Sequence, residues 1–385
     1  MGGSLAGKGF RPFFILAAAF AAALMPLWLL ALAGLVRPTA YFDATTWHAH
    51  ELIFGYAGAV IAGFLLTAAS NWTTRETLTG PPLLAVAALW CAARIAFVTP
   101  GLPREVTAAL DLAFLPAIAL SIARPIAASR SRRNYVMVAV LFALWVANAT
   151  IHLDVLGLLP EWRRRGALVG VDLVILLIVV MAGRILPMFT RNATGVASIR
   201  SHPRLDLAAS GAVFALLAVD AVAPGSGWAE LLAAAAGLAT AARAAHWGMR
   251  HTLGHPLLWI LHVGCAWIPI GLALRVAAHF TSAIPVSIAT HALTVGAIGA
   301  VTLGMMARVS LGHTGRRLVV GWPITAAFAL VTGAAMIRVI APLFDMRAYR
   351  ASLFASGGLW TLAFGLFLAV FAPVLMTARA DGTPG

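Results

Sequence analysis

Apolar stretches of about twenty residues, the length a helix needs to cross roughly 30 Å of hydrocarbon, begin near residues 12, 48, 82, 104, 135, 166, 205, 227, 256, 285, 318 and 350. Polar and basic residues gather in the short breaks between them. The pattern predicts an all-α integral membrane protein with twelve transmembrane helices in a single polytopic domain, residues 1–385. The longest breaks, around residues 124–134 and 191–204, are basic and too small to fold alone.

Two of the apolar runs are near copies. His50-Glu-Leu-Ile-Phe-Gly55-Tyr-Ala-Gly58-Ala-Val-Ile-Ala-Gly63 and His291-Ala-Leu-Thr-Val-Gly296-Ala-Ile-Gly299-Ala-Val-Thr-Leu-Gly304 agree at seven of fourteen positions, including the histidine and all three glycines. A weaker third copy aligns Ala182-Gly183-Arg with Ala62-Gly63-Phe and Leu303-Gly304-Met, each followed by Thr-Gly at similar distance. The copies fall in spans two, six and ten. This predicts three quasi-repeated four-helix units, about residues 10–125, 130–250 and 255–378. At 100° per residue the glycines share one flank of each helix, open to a neighbouring backbone or a flat macrocycle.

Composition agrees with the spans: 61 % of residues are hydrophobic and 10 % charged, with a mean hydropathy of +0.92. The net charge of +14 is scattered through short loops, which excludes a nucleic-acid face. With a cytoplasmic N-terminus, seventeen of the twenty-seven basic residues fall on the cytoplasmic side, and ten of the thirteen acids fall outside or in the outer half. Positive-inside topology therefore accounts for the excess and places both termini in the cytoplasm. The basic opening from Met1 to Arg11 reads as retained, because the run after it continues as a full span. Cys91 and Cys265 both lie inside spans and no C-x-x-C-H segment occurs, excluding disulfides and covalently attached haem.

An ionisable residue inside a membrane span is costly and marks a functional site by default, so the histidines carry the candidate chemistry. His50 and His291 open the two copies at matching depth, His291 about 9 Å inside its helix. Two imidazoles on parallel helices suit axial ligation of a haem iron or a shared copper. His48 and His50 lie about 200° apart if both are helical, whereas His48 and Glu51 share a face. His262 lies at similar depth from the other end of span nine, with Cys265 one turn on. His152 and His279, near outer ends, and His202, His246, His251 and His255, beside arginines, read as interfacial; His313 sits between glycines that permit a fixed turn. A haem needs cations for its propionates; Arg184, Arg308 and Arg11 line the inner rim, and Arg94 and Arg275 the outer half.

Three signatures together resemble the NnrS family of bacterial membrane proteins: Phe10-Arg-Pro-Phe-Phe14, Trp47-His-Ala-His-Glu51 with its Gly-rich helix, and His291-Ala-Leu-Thr-Val-Gly-Ala-Ile-Gly299 followed by Arg308-Val-Ser-Leu-Gly-His-Thr-Gly315. Gly183-Arg-Ile-Leu-Pro187 and the Leu261-His262 segment also fit. The one departure is Gly170 in span six, where the repeat partners carry histidine. The resemblance implies a twelve-span protein of the bacterial cytoplasmic membrane that holds haem b and copper and handles nitric oxide in denitrification or nitrosative stress. The repeated layout is also similar to the catalytic subunit of haem-copper oxidases and nitric oxide reductases, although no oxidase motif is matched.

The expectation that follows is a nitric oxide reductase-like oxidoreductase that binds and detoxifies nitric oxide. His50 and His291 would ligate the haem, and His48 and His262, with His50 and His291, are the metal-binding candidates. Arg184 and Arg308 would contact the cofactor. Glu51, with His48, would serve catalysis by relaying protons from the outer side, with Asp111 or Asp172 as further relays. No electron entry site is visible, so the donor is unknown. A twelve-span secondary transporter and a haem-based sensor or carrier without turnover are the alternatives.

Overall fold

The computed structural model describes residues 5–382 and is helical throughout, without strands among those residues. Residues 1–4 of the basic opening segment lie outside the described residues. Twelve long helices follow one another: α1 Phe10–Leu32, α2 Ala44–Thr73, α3 Gly80–Val98, α4 Arg104–Ala128, α5 Tyr135–Val155, α6 Arg163–Thr194, α7 Pro203–Val222, α8 Gly227–Ala244, α9 Pro256–Phe280, α10 Val286–His313, α11 Trp322–Phe344 and α12 Tyr349–Met376. Each starts within a few residues of an apolar run. Eleven are long and apolar enough to cross a membrane. The twelfth, α8, is the shortest at 18 residues; it is half alanine and carries Glu230 and Arg243.

Local chemistry sets the ends. Asp43 caps α2 by accepting from the Thr45 and Thr46 amides, both at 3.0 Å. Proline occupies the first turn of α3, α7, α9 and α11, where its missing N–H costs nothing. Hydroxyl groups within spans fold back on their own helix: Thr67 donates to the Gly63 carbonyl at 2.8 Å and Ser310 to that of Met306 at 2.6 Å. Such bonds satisfy the hydroxyl where no water can. Large apolar side chains such as Phe142, Phe214 and Leu207 point outward, 60 to 75 % exposed, as lipid-facing residues do.

The chain divides into two compact units. The first comprises residues 1–170, 306–318 and 364–385, and the second residues 171–305 and 319–363. In the first, α2 packs between α1 and α4, and α3 and α5 flank α4. In the second, α7, α8 and α9 pack in sequence, and α9 and α11 both contact the first part of α10.

The repeated motif has a structural signature. Immediately after His50 the α2 backbone changes from α to π geometry over Glu51–Ala57, and immediately after His291 the α10 backbone does the same over Ala292–Gly299. A π segment accommodates an extra residue and redirects the side chains beyond it, so the uniform 100° phase expected for the glycines does not hold. Nor is their flank open to a macrocycle: a Cβ on Gly55 would stand 2.8 Å from Arg94 Nη1, and one on Gly296 2.5 Å from the Trp267 ring. The absent side chains admit neighbours of the same unit. Gly170 likewise receives the ring of Phe54, which a Cβ would meet at 2.8 Å.

Candidate metal centre

In the first unit, α2, α3, α4 and α5 bring six polar side chains into a buried cluster at the end where α2 begins. His50 and His152 are fully buried, and Glu51, Asn148, Asp111 and Arg94 are 1 to 8 % exposed. Asp111 is the hub. Its Oδ2 accepts from Asn148 Nδ2 at 2.6 Å and lies 3.1 Å from His152 Nε2 and 3.3 Å from His50 Nε2. Its Oδ1 pairs with Arg94 Nη2, while Arg94 Nε lies 3.1 Å from Glu51 Oε2. His50 faces an oxygen acceptor from each ring nitrogen, with Nδ1 2.8 Å from Glu51 Oε1 and Nε2 2.8 Å from Asn148 Oδ1. Phe42, Phe54 and Phe97 enclose the His50 ring at centroid distances of 4.9 to 5.3 Å.

The formal charges point to a missing cation. Glu51 and Asp111 bring two negative charges, Arg94 brings one positive charge, and the imidazoles are neutral unless protonated. A proton or a metal ion closes that balance in a site where low polarity makes imbalance expensive. Ligand atoms of His50, Asp111 and His152 lie within 4.8 Å of one another. Two imidazoles and a carboxylate form a donor set that copper, iron and zinc accept.

Tyr41 extends the cluster into the link before α2. Its hydroxyl lies 2.7 Å from His152 Nδ1. Burial, then the nearby Asp111 carboxylate, push the Tyr41 phenol above its ordinary range, so it keeps its proton and can either donate to His152 or accept from it. Where the Tyr41 oxygen accepts from Nδ1–H, Nε2 of His152 presents a lone pair beside Asp111, as a metal ligand requires. A metal ligand's second ring nitrogen commonly has such a fixed partner.

Of the sequence candidates, His50 and Glu51 meet in this cluster. His48 stacks on Trp28, with centroids 4.0 Å apart and planes at 22°. His262, in the second unit, lies with Nε2 2.9 Å from Thr190 Oγ1. His291, also in the second unit, donates from Nδ1 to the Ser287 carbonyl at 2.6 Å. Arg184 and Arg308 are half-buried on α6 and α10. The two arginines read from the sequence as outer-half pair with acids: Arg94 with Glu51 and Asp111, and Arg275 with Asp220 at 2.5 and 2.7 Å and Glu230 at 3.2 Å. His152, read as interfacial, proves to be central, and Asn148 and Tyr41 went unnoticed. Asn148 and His152 stand four apart, on one face of α5, which is the available signal.

The sequence profile of the NnrS family, described as NnrS protein, matches residues 4–379. The chain belongs to the NnrS family. No curated protein matches it. As an NnrS protein it is a multi-span membrane protein of a family linked to the nitric oxide response. The NnrS signatures have structural positions: Phe10 to Phe14 are buried at the start of α1, where Arg11 Nη1 donates to the Leu375 and Thr377 carbonyls at 2.9 and 2.6 Å. The ring of His313 packs 5.7 Å from that of Phe10.

A metal ion fits the first unit in place of the balancing proton, because three buried ligand atoms lie within 4.8 Å of one another. For haem, His291 has the chemistry of an axial ligand, since its Nδ1–H on a backbone carbonyl leaves Nε2 to present a lone pair. His50 could ligate iron or copper only by giving up one of its two hydrogen bonds.

Proposed function

We propose that this NnrS protein is a haem- and copper-dependent nitric oxide reductase of the bacterial cytoplasmic membrane, with copper bound by His50, Asp111 and His152 and haem b by His291. The observation that carries the reading is the buried His50, Asp111 and His152 set, where a proton or a metal ion balances the second carboxylate. Bound copper would supply one-electron redox chemistry and a binding position for nitric oxide. Reduction of two nitric oxide molecules to nitrous oxide and water takes two electrons and two protons; the electrons come from a donor outside this chain.

The chain's own residues divide the remaining work. Glu51, held by Arg94 Nε at 3.1 Å and bonded to His50, is the proton-holding group. Arg94 keeps the site's charge close to neutral as protons and electrons arrive. Phe42, Phe54 and Phe97 exclude water while admitting a small uncharged gas. Tyr41 orients His152 and connects the cluster to the link outside the membrane. The distribution of basic residues supports an outward-facing site and cytoplasmic termini, and the matched π segments support the reading of spans two and ten as repeats.

Metal quantification and absorption and EPR spectra of the purified protein, with and without nitric oxide, test the proposal. Wild-type protein is expected to carry copper and haem and to form nitrous oxide when reduced; His152→Gln should lose the copper signal and His291→Gln the haem spectrum. A colourless, copper-free preparation would refute it.

A further inference from the structure

Arg338, on α11 in the second unit, is a buried cation without a counter-ion. It is 2 % exposed, and no carboxylate among the described residues pairs with it. Nη2 donates to the Tyr349 hydroxyl at 2.8 Å, and the guanidinium carbon lies 4.5 Å from the centroid of that ring. Nε and Nη1 have no hydrogen-bond partner. The other buried arginines differ: Arg94 has Glu51 and Asp111, Arg243 has Asp206 at 3.6 Å, and Arg11 bonds two backbone carbonyls. A guanidinium cannot escape the cost of burial by losing its proton, and a charge in that position calls for an opposite one.

The surroundings form a receiving site. The Tyr349 hydroxyl also lies 3.1 Å from Ser287 Oγ. One turn along α10, the Ser287 carbonyl holds His291 Nδ1 at 2.6 Å, and the His291 ring is within electrostatic reach of Arg338. Three helices, α10, α11 and α12, thus bring one permanent cation, two hydroxyls and one imidazole together, with no acid among them.

We infer that Arg338, Tyr349, Ser287 and His291 form an anion site that takes an oxyanion of one negative charge. Arg338 supplies charge-assisted hydrogen bonds from Nε and Nη1, and Tyr349 and Ser287 fix its approach. Two sources present that chemistry: a small free anion such as nitrite, or the carboxylate arm of a haem. The second source rests on the assignment of His291 above, and the first does not.

The test uses full-length protein in detergent at fixed ionic strength, comparing wild type with Arg338→Met and, should that variant not fold, with Arg338→Lys and Tyr349→Phe. Sodium nitrite is titrated while the unfolding temperature is followed. Separately, haem and haem dimethyl ester, whose carboxylates are masked, are titrated into haem-depleted protein. A saturable rise in unfolding temperature with nitrite that the variants lose identifies a free anion. At least tenfold weaker binding of haem to the variants than to wild type, with the ester binding all proteins alike, identifies a haem carboxylate. Either result supports the site. Nitrite and haem responses equal in wild type and variants would overturn it. Copper content is read on the same samples, so a nitrite response in copper-free protein would sustain the anion site while removing the function proposed above.

Discussion

Asp111→Asn is the sharpest test of the polar cluster, because the change keeps the shape of the side chain and removes one charge. Asp111 receives Arg94, Asn148 at 2.6 Å and His152 at 3.1 Å, with His50 at 3.3 Å; an amide would turn an NH2 group toward some of these donors. Removing one partner of a buried ion pair costs about 3–5 kcal/mol, a large share of the roughly 5–15 kcal/mol that typically separates folded from unfolded protein. The charge balance gives a second expectation. With Asp111 neutral, Glu51 and Arg94 balance each other, so the cluster no longer needs an added cation and copper content should fall to background. Arg94→Met in the same chain leaves Glu51 buried without its cation, so the double variant should lose further stability rather than recover it. Reversible unfolding in mixed micelles, followed by tryptophan fluorescence, measures the first and third effects, and metal analysis measures the second. The reasoning is refuted if Asp111→Asn unfolds within about 1 kcal/mol of wild type and keeps its copper, or if the double variant is as stable as wild type.

Tyr41→Phe deletes one oxygen and leaves the ring against Phe42 and Phe97; copper affinity in a chelator competition should weaken about 10- to 100-fold, and an unchanged affinity would separate Tyr41 from the site. Gly296→Ala places a methyl 2.5 Å from the Trp267 ring and should cost about 1–3 kcal/mol, read as a lower unfolding temperature. Asp43→Ala removes the cap of α2 and should cost about 0.5–2 kcal/mol at neutral pH. Although burial opposes ionisation of Asp43, the Thr46 hydrogen bonds, with Arg163 nearby, hold its carboxyl below the usual value. Its contribution is therefore complete above the unfolded pKa near 3.9 and fades as pH falls through the lower folded value. The gap between wild type and Asp43→Ala should close in acid, and a gap independent of pH would exclude the charged cap.

Helix positions were legible because apolar length is a one-dimensional property: the starts expected near 104, 135, 227 and 256 coincide with those of α4, α5, α8 and α9. The pairing of His50 with Glu51 was half legible, since both stand in one motif, but adjacency in a regular helix would not aim them at a common centre. The π segment after His50 supplies that geometry, and nothing in composition marks a π turn. His152 and Asn148 were missed for another reason. Their importance comes from α5 packing on α4, which places them on Asp111, and periodicity within one helix carries no information about its neighbour. Arg338 escaped similarly, because a buried cation is conspicuous only once every acid has been placed elsewhere.

The link between α3 and α4 has a consequence for how the chain enters the bilayer. Arg94 and Asp111 sit on consecutive helices joined by residues 99–103, so the two can neutralise each other within a single hairpin as it leaves the translocon. A lone arginine costs up to about 3.5 kcal/mol at mid-membrane and less towards a helix end; Arg94 stands four residues from the end of α3, and pairing within the hairpin lowers its smaller cost further. In the second unit the order is reversed. Asp220 and Glu230 precede Arg275 in the chain, so their counter-charge arrives only with α9.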